Sequence, residues 1–184
     1  MFKIALYLLI AVVLAIFLLP FFYTVSPYEL DPTKILQAPT LEHLFGTDRL
    51  GRDMLARVLN GGQTSLIIGF LAASISSIVG LFIGINAGYF KGNIDKTITI
   101  MIDLFLTFPT FFLLLALVSY IQASALILII VISVTGWMGM ARMIRSESFA
   151  IGNKPFIKIL KVANVSTFKI IFKYFAPLLA PIFL

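Results

Sequence analysis

The chain has no cysteine and a single histidine, His43. Without cysteine there is neither a disulfide framework nor a thiolate metal site, and one histidine with no second ligand beside it argues against zinc. Charge is scarce as well: 12% of the residues are Asp, Glu, Lys or Arg, against about 25% in an ordinary soluble domain. No Ser, His and Asp arrangement, no HExxH, no GxxxxGK[ST] loop and no paired carboxylates are present. Gly61-Gly62 and Gly136-Trp137-Met138-Gly139 lack the lysine and following hydroxyl that a phosphate-binding loop needs. The residues therefore point away from an enzyme, with no catalytic, cofactor-binding or metal site.

Apolar sequence fills the space those absences leave. Hydrophobic residues make up 60% of the chain and the mean hydropathy is +1.07, far outside the soluble range. The net charge of +6 does not point to nucleic acid, because the positive residues lie between runs too apolar for a soluble fold. Orientation in a lipid bilayer accounts for them better. The fold class expected is all-α, a polytopic bundle of membrane helices.

The first span is expected within residues 1–25, an uncleaved helix with Lys3 holding the N-terminus inside and Pro20 in its last turns. Residues 26–62 read as an external loop punctuated by Pro27, Pro32 and Pro39, its charges nearly balanced. Thr47 or Asp48 is expected to cap a short amphipathic helix running to Arg57. The core, 63–184, holds spans at about 64–89, 97–118 and 125–140, and Pro177 starts a fifth that occupies 177–184. In the second span Gly80, Gly84 and Gly88 recur every four residues. Lipid provides no hydrophobic force between helices, so such a stripe is expected to let another helix approach. Asn86 should face protein or water. The turn after it carries Gly92 and Asn93, which tolerate turn dihedrals. In the third span Asp103 has no Lys or Arg one turn away and must find its partner on another element, and Pro109 is expected to bend the helix. Asp103 reads either as structural or as bordering a translocation path. Trp137 suits headgroup depth.

Residues 142–176 form a basic, amphipathic platform containing Arg142, Arg145, Lys154, Lys158, Lys161, Lys169 and Lys173. With the N-terminus inside, the inner side receives these and Lys3, Lys91 and Lys96, and the outer side receives Lys34, Arg49, Arg52 and Arg57, which together are all 14 Lys and Arg. That bias places the platform in the cytoplasm. Pro155 suits a first helical position, and residues 164–167 offer the side chains that stop one helix and cap the next. Phe156, Ile159 and Leu160, with Phe168, Ile171 and Phe172, exceed what a solvated loop needs, so this segment is expected to be covered by helix ends, headgroups or a partner.

These residues also carry a resemblance. Gly46-Thr47-Asp48-Arg49-Leu50-Gly51-Arg52-Asp53-Met54-Leu55-Ala56-Arg57, then Gly61 and Ser65-Leu66, is similar to the GTDxLGRDxLSR…G.R.SL signature of permease subunits of bacterial ATP-binding-cassette importers, specifically the C-type member of the permease pair for dipeptides, oligopeptides and nickel. Ala56 stands for the usual serine and Gln63 for the usual arginine. Gly88-Tyr89-Phe90-Lys91-Gly92…Asp95…Asp103…Pro109 resembles GYxGGxxDxxxxRxxDxxxxxP, with Lys91 for a glycine and Ile100 for the arginine. Aligned without gaps to the family's EAAxxxGxS coupling segment, Lys158-Ile159-Leu160 takes the place of EAA, Asn164 that of the glycine, and Ser166 is kept. A glutamate-to-lysine change repels a positive group on a partner and attracts a carboxylate.

The resemblance implies the MetI-like permease fold, four complete spans plus the start of a fifth, and a multi-pass location in the bacterial inner membrane. It implies a transmembrane subunit of an ATP-driven importer for dipeptides or oligopeptides, or a nickel importer permease of the same family. The partners implied are a homologous second permease, two cytoplasmic ATPase subunits that bind the ATP, and an external substrate-binding protein, with no cofactor on this chain. Pro155, Phe156, Lys158, Ile159, Leu160, Asn164 and Ser166 would couple to the ATPase. Full-length members have six spans, so the short fifth segment suggests a truncated or split product, and a non-transporting remnant or assembly partner is the alternative.

Overall fold

The computed structural model describes residues 2–107, 112, 115–116, 119 and 124–183. Pro109 and, apart from four isolated positions, the stretch 108–123 lie outside the described residues, and with them the later part of the expected third span and most of the short link after it. The described residues are helical, with no strand beyond an isolated bridge between Thr47 and Asp53. Three helical stretches, Lys3–Phe21, Met54–Phe90 and Ala125–Gly152, are long and apolar enough to cross a membrane. The chain divides into two compact units, Met1–Ile67 and Ile68–Leu184.

The first unit opens with α1, Phe2–Leu18. Leu19–Phe21 continue it as a 3-10 turn, because a proline at position 20 disfavours the α conformation of the residue before it and donates no hydrogen bond. The segment from Tyr23 to Asp53 is held mainly by hydrogen bonds, and α2, Met54–Phe90, begins where it ends. Here the structure departs from the expected boundaries: no helix starts at Thr47 or Asp48, and positions 54–62 belong to α2, not to a loop. Gly51 has φ +75°, which a right-handed helix cannot accommodate, and the Asp48 carboxylate is taken up by a turn. Asp53 caps the helix instead, its Oδ1 accepting the Ala56 N–H at 2.7 Å. Gly61-Gly62 does not break α2. A glycine costs about 1 kcal/mol in a helix, and Gly62 gives close room to Ile16 of α1, whose Cδ1 would lie 3.0 Å from an added Cβ. Gln63 Nε2 also donates to the Ile16 carbonyl at 3.1 Å.

The second unit contains the rest of α2, then α3, Gly92–Thr107, and α4, Ala125–Gly152. α4 runs well past the expected end near Met140, because nothing from Ala141 to Phe149 breaks a helix and Lys154-Pro155 supplies the stop. α5 is Pro155–Val162 and α6 is Thr167–Ile170. A π-helical turn, Ile171–Phe175, joins α6 to α7, Ala176–Leu179, and a 3-10 turn, Ala180–Phe183, follows. Pro177 has no N–H for the carbonyl four residues back, and directly before it the ladder widens, with Ala176 N–H reaching the Ile171 carbonyl. The core of this unit joins Ile85, Tyr89, Ile144, Ile151, Ile157, Ile170, Phe175 and Leu179. A second cluster holds Ile102, Met138 and Ala141, with Trp137 half-buried against it and not displayed as an exposed anchor.

Candidate functional site

Four groups of the singled-out residues have definite geometry. The first is the loop before α2. Asp53, its side chain fully buried, accepts from Tyr23 Oη at 2.6 Å and pairs with His43 Nδ1 at 2.9 Å. Lys34 Nζ lies 3.3 Å from His43 Nε2. With Lys34 donating to Nε2, His43 can give its Nδ1 proton to Asp53. Burial raises the Asp53 carboxyl, but the Ala56 N–H, Tyr23 and His43 outweigh it and hold the group below the ordinary aspartate value. Burial, then the hydrogen bond and negative charge of Asp53, push the Tyr23 phenol up to about 12.

The other motif residues of that loop each have a physical task. Thr47 is buried, accepts the Gln37 N–H at 2.9 Å and donates to the Lys34 carbonyl. Asp48 accepts the N–H groups of Leu50 (2.8 Å) and Arg52 (3.1 Å) and the Arg52 Nε–H (2.8 Å). Burial opposes its ionisation, yet these bonds, the Arg52 side chain foremost, lower its carboxyl to about 2. Arg57 adds a longer contact to the same carboxylate at 3.4 Å. Gly46 and Gly51 have φ of +72° and +75°, and a side chain at either would run into the backbone of Gln37 or Asp31.

The second group is the glycine stripe. A Cβ at Gly80 would lie 2.7 Å from Met140 Cβ, one at Gly84 2.7 Å from the Ala141 carbonyl, and one at Gly88 2.5 Å from Ser148 Cβ. All three neighbours are on α4, so the stripe sets the distance between α2 and α4. The sequence did not single out the reciprocal contact. Gly136 of α4 makes room for Ser76, whose Oγ donates to the Ser133 carbonyl at 3.3 Å. Small and hydroxyl residues at both ends of such a contact are the signal that would have found it.

The third group joins α3 to α4. Asp103 pairs with Arg142. Asp95 takes two bonds from Arg145, the one from Nη2 to Oδ2 being 2.7 Å, a bidentate pair. The family-type arginine replaced by Ile100 is thus not needed to partner Asp103, because α4 delivers one. Asn86 satisfies a donor within its own helix, Nδ2 to the Phe82 carbonyl at 2.7 Å, and borders an apolar groove that Phe82, Phe90, Phe168 and Phe172 also line.

The fourth group is the basic platform. Pro155 is the first residue of α5, after an extended Lys154. Ile157 is fully buried, and Leu160 and Ile171 pack half-buried on the same core, so both turn inward and are not part of the exposed face. The outward side of α5 consists of Lys158, Ile159 (67% exposed) and Val162 (88% exposed). Phe156 is partly exposed, its ring centroid 6.3 Å from that of Tyr174. α5 closes in a Schellman motif: Asn164 N–H bonds the Lys161 carbonyl (3.1 Å) and Val165 N–H the Leu160 carbonyl (3.0 Å). Asn164 has φ +55°, the left-handed conformation that glycine, and after it asparagine, adopts most readily. Ser166 then caps α6 through the Lys169 N–H. Lys91, the other residue standing in place of a glycine, has φ +56°. It donates to Asn153 Oδ1 at 2.7 Å and covers the Phe149 ring at 4.1 Å.

Residues 80–184 match the family described as binding-protein-dependent transport system inner membrane component. The chain is 31% identical over 175 residues to the oligopeptide transport system permease protein OppC of Haemophilus influenzae, an alignment covering 94% of this chain and 56% of that protein. It is 35% identical over 167 residues to the proteins of that name from Mycobacterium bovis and Mycobacterium tuberculosis, covering 90% of this chain and 56% of each. The chain thus spans little more than half the length of these curated relatives. With the family match covering more than half of its residues, including the glycine stripe, both ion pairs and the whole platform, the chain belongs to the binding-protein-dependent transport system inner membrane components.

Proposed function

We propose that the chain is a membrane subunit of an ATP-driven importer for short peptides, working with a homologous second permease, two ATPase subunits and an external substrate-binding protein. The relatives named oligopeptide permeases support the peptide class. The observation that carries the rest is α5. It is anchored by a fully buried Ile157 yet presents Lys158, Ile159 and Val162 outward, the form of a short helix seated in a partner's groove. In this reading the N-terminus and the platform are cytoplasmic, ATP is bound and hydrolysed by the separate subunits, and their movement reaches the spans through α5. Asp103 and the glycine stripe shape the helix contacts around the path.

The chain's lack of cysteine makes the topology directly testable. Lys158→Cys provides a single thiol, which a membrane-impermeant maleimide should leave unlabelled in intact cells and label in inverted vesicles. Labelling from outside would overturn the reading. Peptide uptake in vesicles containing all subunits, abolished by Val162→Asp together with ATPase co-purification, tests the coupling. Uptake of nickel in place of peptide would reassign the substrate.

A further inference from the structure

Five lysines of the platform, Lys154, Lys158, Lys161, Lys169 and Lys173, are exposed. Among the described residues none of them has a carboxylate within ion-pairing distance. Of the other basic residues of this unit, Arg142 is engaged by Asp103, Arg145 by Asp95 and Lys91 by Asn153, while exposed Lys96 on α3 has no carboxylate within ion-pairing distance among the described residues. Lys161 lies over the Tyr89 ring at 4.2 Å. Glu147 is the one acid between Arg142 and Pro177. The positive charge is therefore uncompensated where the apolar ridge of α5 is most exposed.

Direction matters as much as charge. At about 100° per residue, Pro155, Lys158, Ile159 and Val162 share one side of α5, and Ile157 and Leu160 lie opposite. Ile157 belongs to a cluster with Tyr89 and Ile151, residues of the last turns of α2 and α4. The outward side of α5 is therefore the side turned away from that cluster. In the reading of the platform as cytoplasmic, this lysine-bearing side of α5 is open to a soluble partner. An ammonium covered there without a counter-charge carries a desolvation penalty, which an acidic side chain on the covering protein offsets.

We propose that the surface receiving α5 is an acidic groove on a soluble protein, with an apolar floor for Ile159 and Val162 and an Asp or Glu at its rim opposite Lys158. This rests on the reading of α5 as the helix received by the ATPase, and it gives that ATPase a charge signature selecting this permease over one with an acidic helix at the same place.

The experiment uses the whole chain in nanodiscs and the ATP-hydrolysing subunit that co-purifies with it. Lys158→Glu should weaken association at least about tenfold, and a carboxylate-to-lysine exchange in the groove should restore it. Val162→Asp should weaken association to a similar extent, and raised salt should weaken the wild type more than Lys158→Glu. Both residues are exposed, and unchanged thermal unfolding verifies the fold. If Val162→Asp releases the ATPase but Lys158→Glu binds equally well or tighter, docking stands and the acidic groove is refuted. If neither variant alters association, the docking reading itself fails. If the Lys158→Glu defect disappears in nanodiscs without anionic lipid, the lysine's counter-charge is a headgroup and the proposal is overturned.

Discussion

Asn164 offers the sharpest test of how the platform is built. A non-glycine residue in the left-handed region costs about 1–2 kcal/mol, least for asparagine and most for a β-branched side chain. At φ +55°, Asn164→Ala should therefore lose about 1 kcal/mol and Asn164→Val about 2 kcal/mol of local stability. Asn164→Gly should stay within about 0.5 kcal/mol of the wild type, since relief of strain is offset by the flexibility glycine returns to the unfolded chain. The two closing bonds, 3.1 Å and 3.0 Å, set the ceiling on the loss at about 1–3 kcal/mol. Hydrogen exchange reads the effect directly, because the Val165 amide is protected only while the motif is closed. A loss of 2 kcal/mol speeds its exchange roughly thirtyfold, and chemical unfolding in mild detergent should move in the same order. A valine variant that exchanges like the wild type, or a glycine variant as damaging as valine, would refute the assignment.

Other consequences can be measured independently. Gly84→Val should separate α2 from α4 and destabilise by about 1–3 kcal/mol, whereas Gly69→Ala, with nothing within 4 Å of an added Cβ, should be neutral or slightly stabilising in the same detergent unfolding assay. Arg145→Gln leaves the mostly buried Asp95 carboxylate without its bidentate partner and should cost about 2 kcal/mol, partly recovered by adding Asp95→Asn. Acid should open the loop before α2. Asp48 and Asp53 have folded-state values below the ordinary 3.8, so their stabilisation is complete above about 4 and is lost as pH falls, through about 2 for Asp48. Alkali acts through Tyr23 with the opposite sense. Its contribution is complete below 10 and is lost as pH rises through about 12, and the tyrosinate absorbance of the wild type minus Tyr23→Phe should show that late titration.

Much of this architecture was legible in the sequence because membrane sequences are read by length and polarity. The apolar runs led to α1, α2 and α4, and the spacing of Gly80, Gly84 and Gly88 marked a close helix approach. Pro155 announced the start of α5, and residues 164–167 its stop and the start of α6. What escaped was set by tertiary partners. Asp53 rather than Thr47 caps α2 because the Asp48 side chain is occupied by its own turn. α2 absorbs Gly61-Gly62 because Gly62 has Ile16 beside it. Asp103 finds Arg142 thirty-nine residues away, a distance no local pattern spans. On α5, Leu160 and Ile159 are adjacent and equally apolar, and only the position of the core decides that Leu160 turns in and Ile159 out.

Ile157 has a mechanical consequence. Protein interiors are nearly incompressible, and this side chain is enclosed by a cluster that includes Ile144 and Ile151 of α4 and Ile85 and Tyr89 of α2. A tug on the short helix that bears it leaves no slack to take up. The load falls on α4 and on the part of α2 that packs with it, and α3 is tied to α4 by two charge pairs.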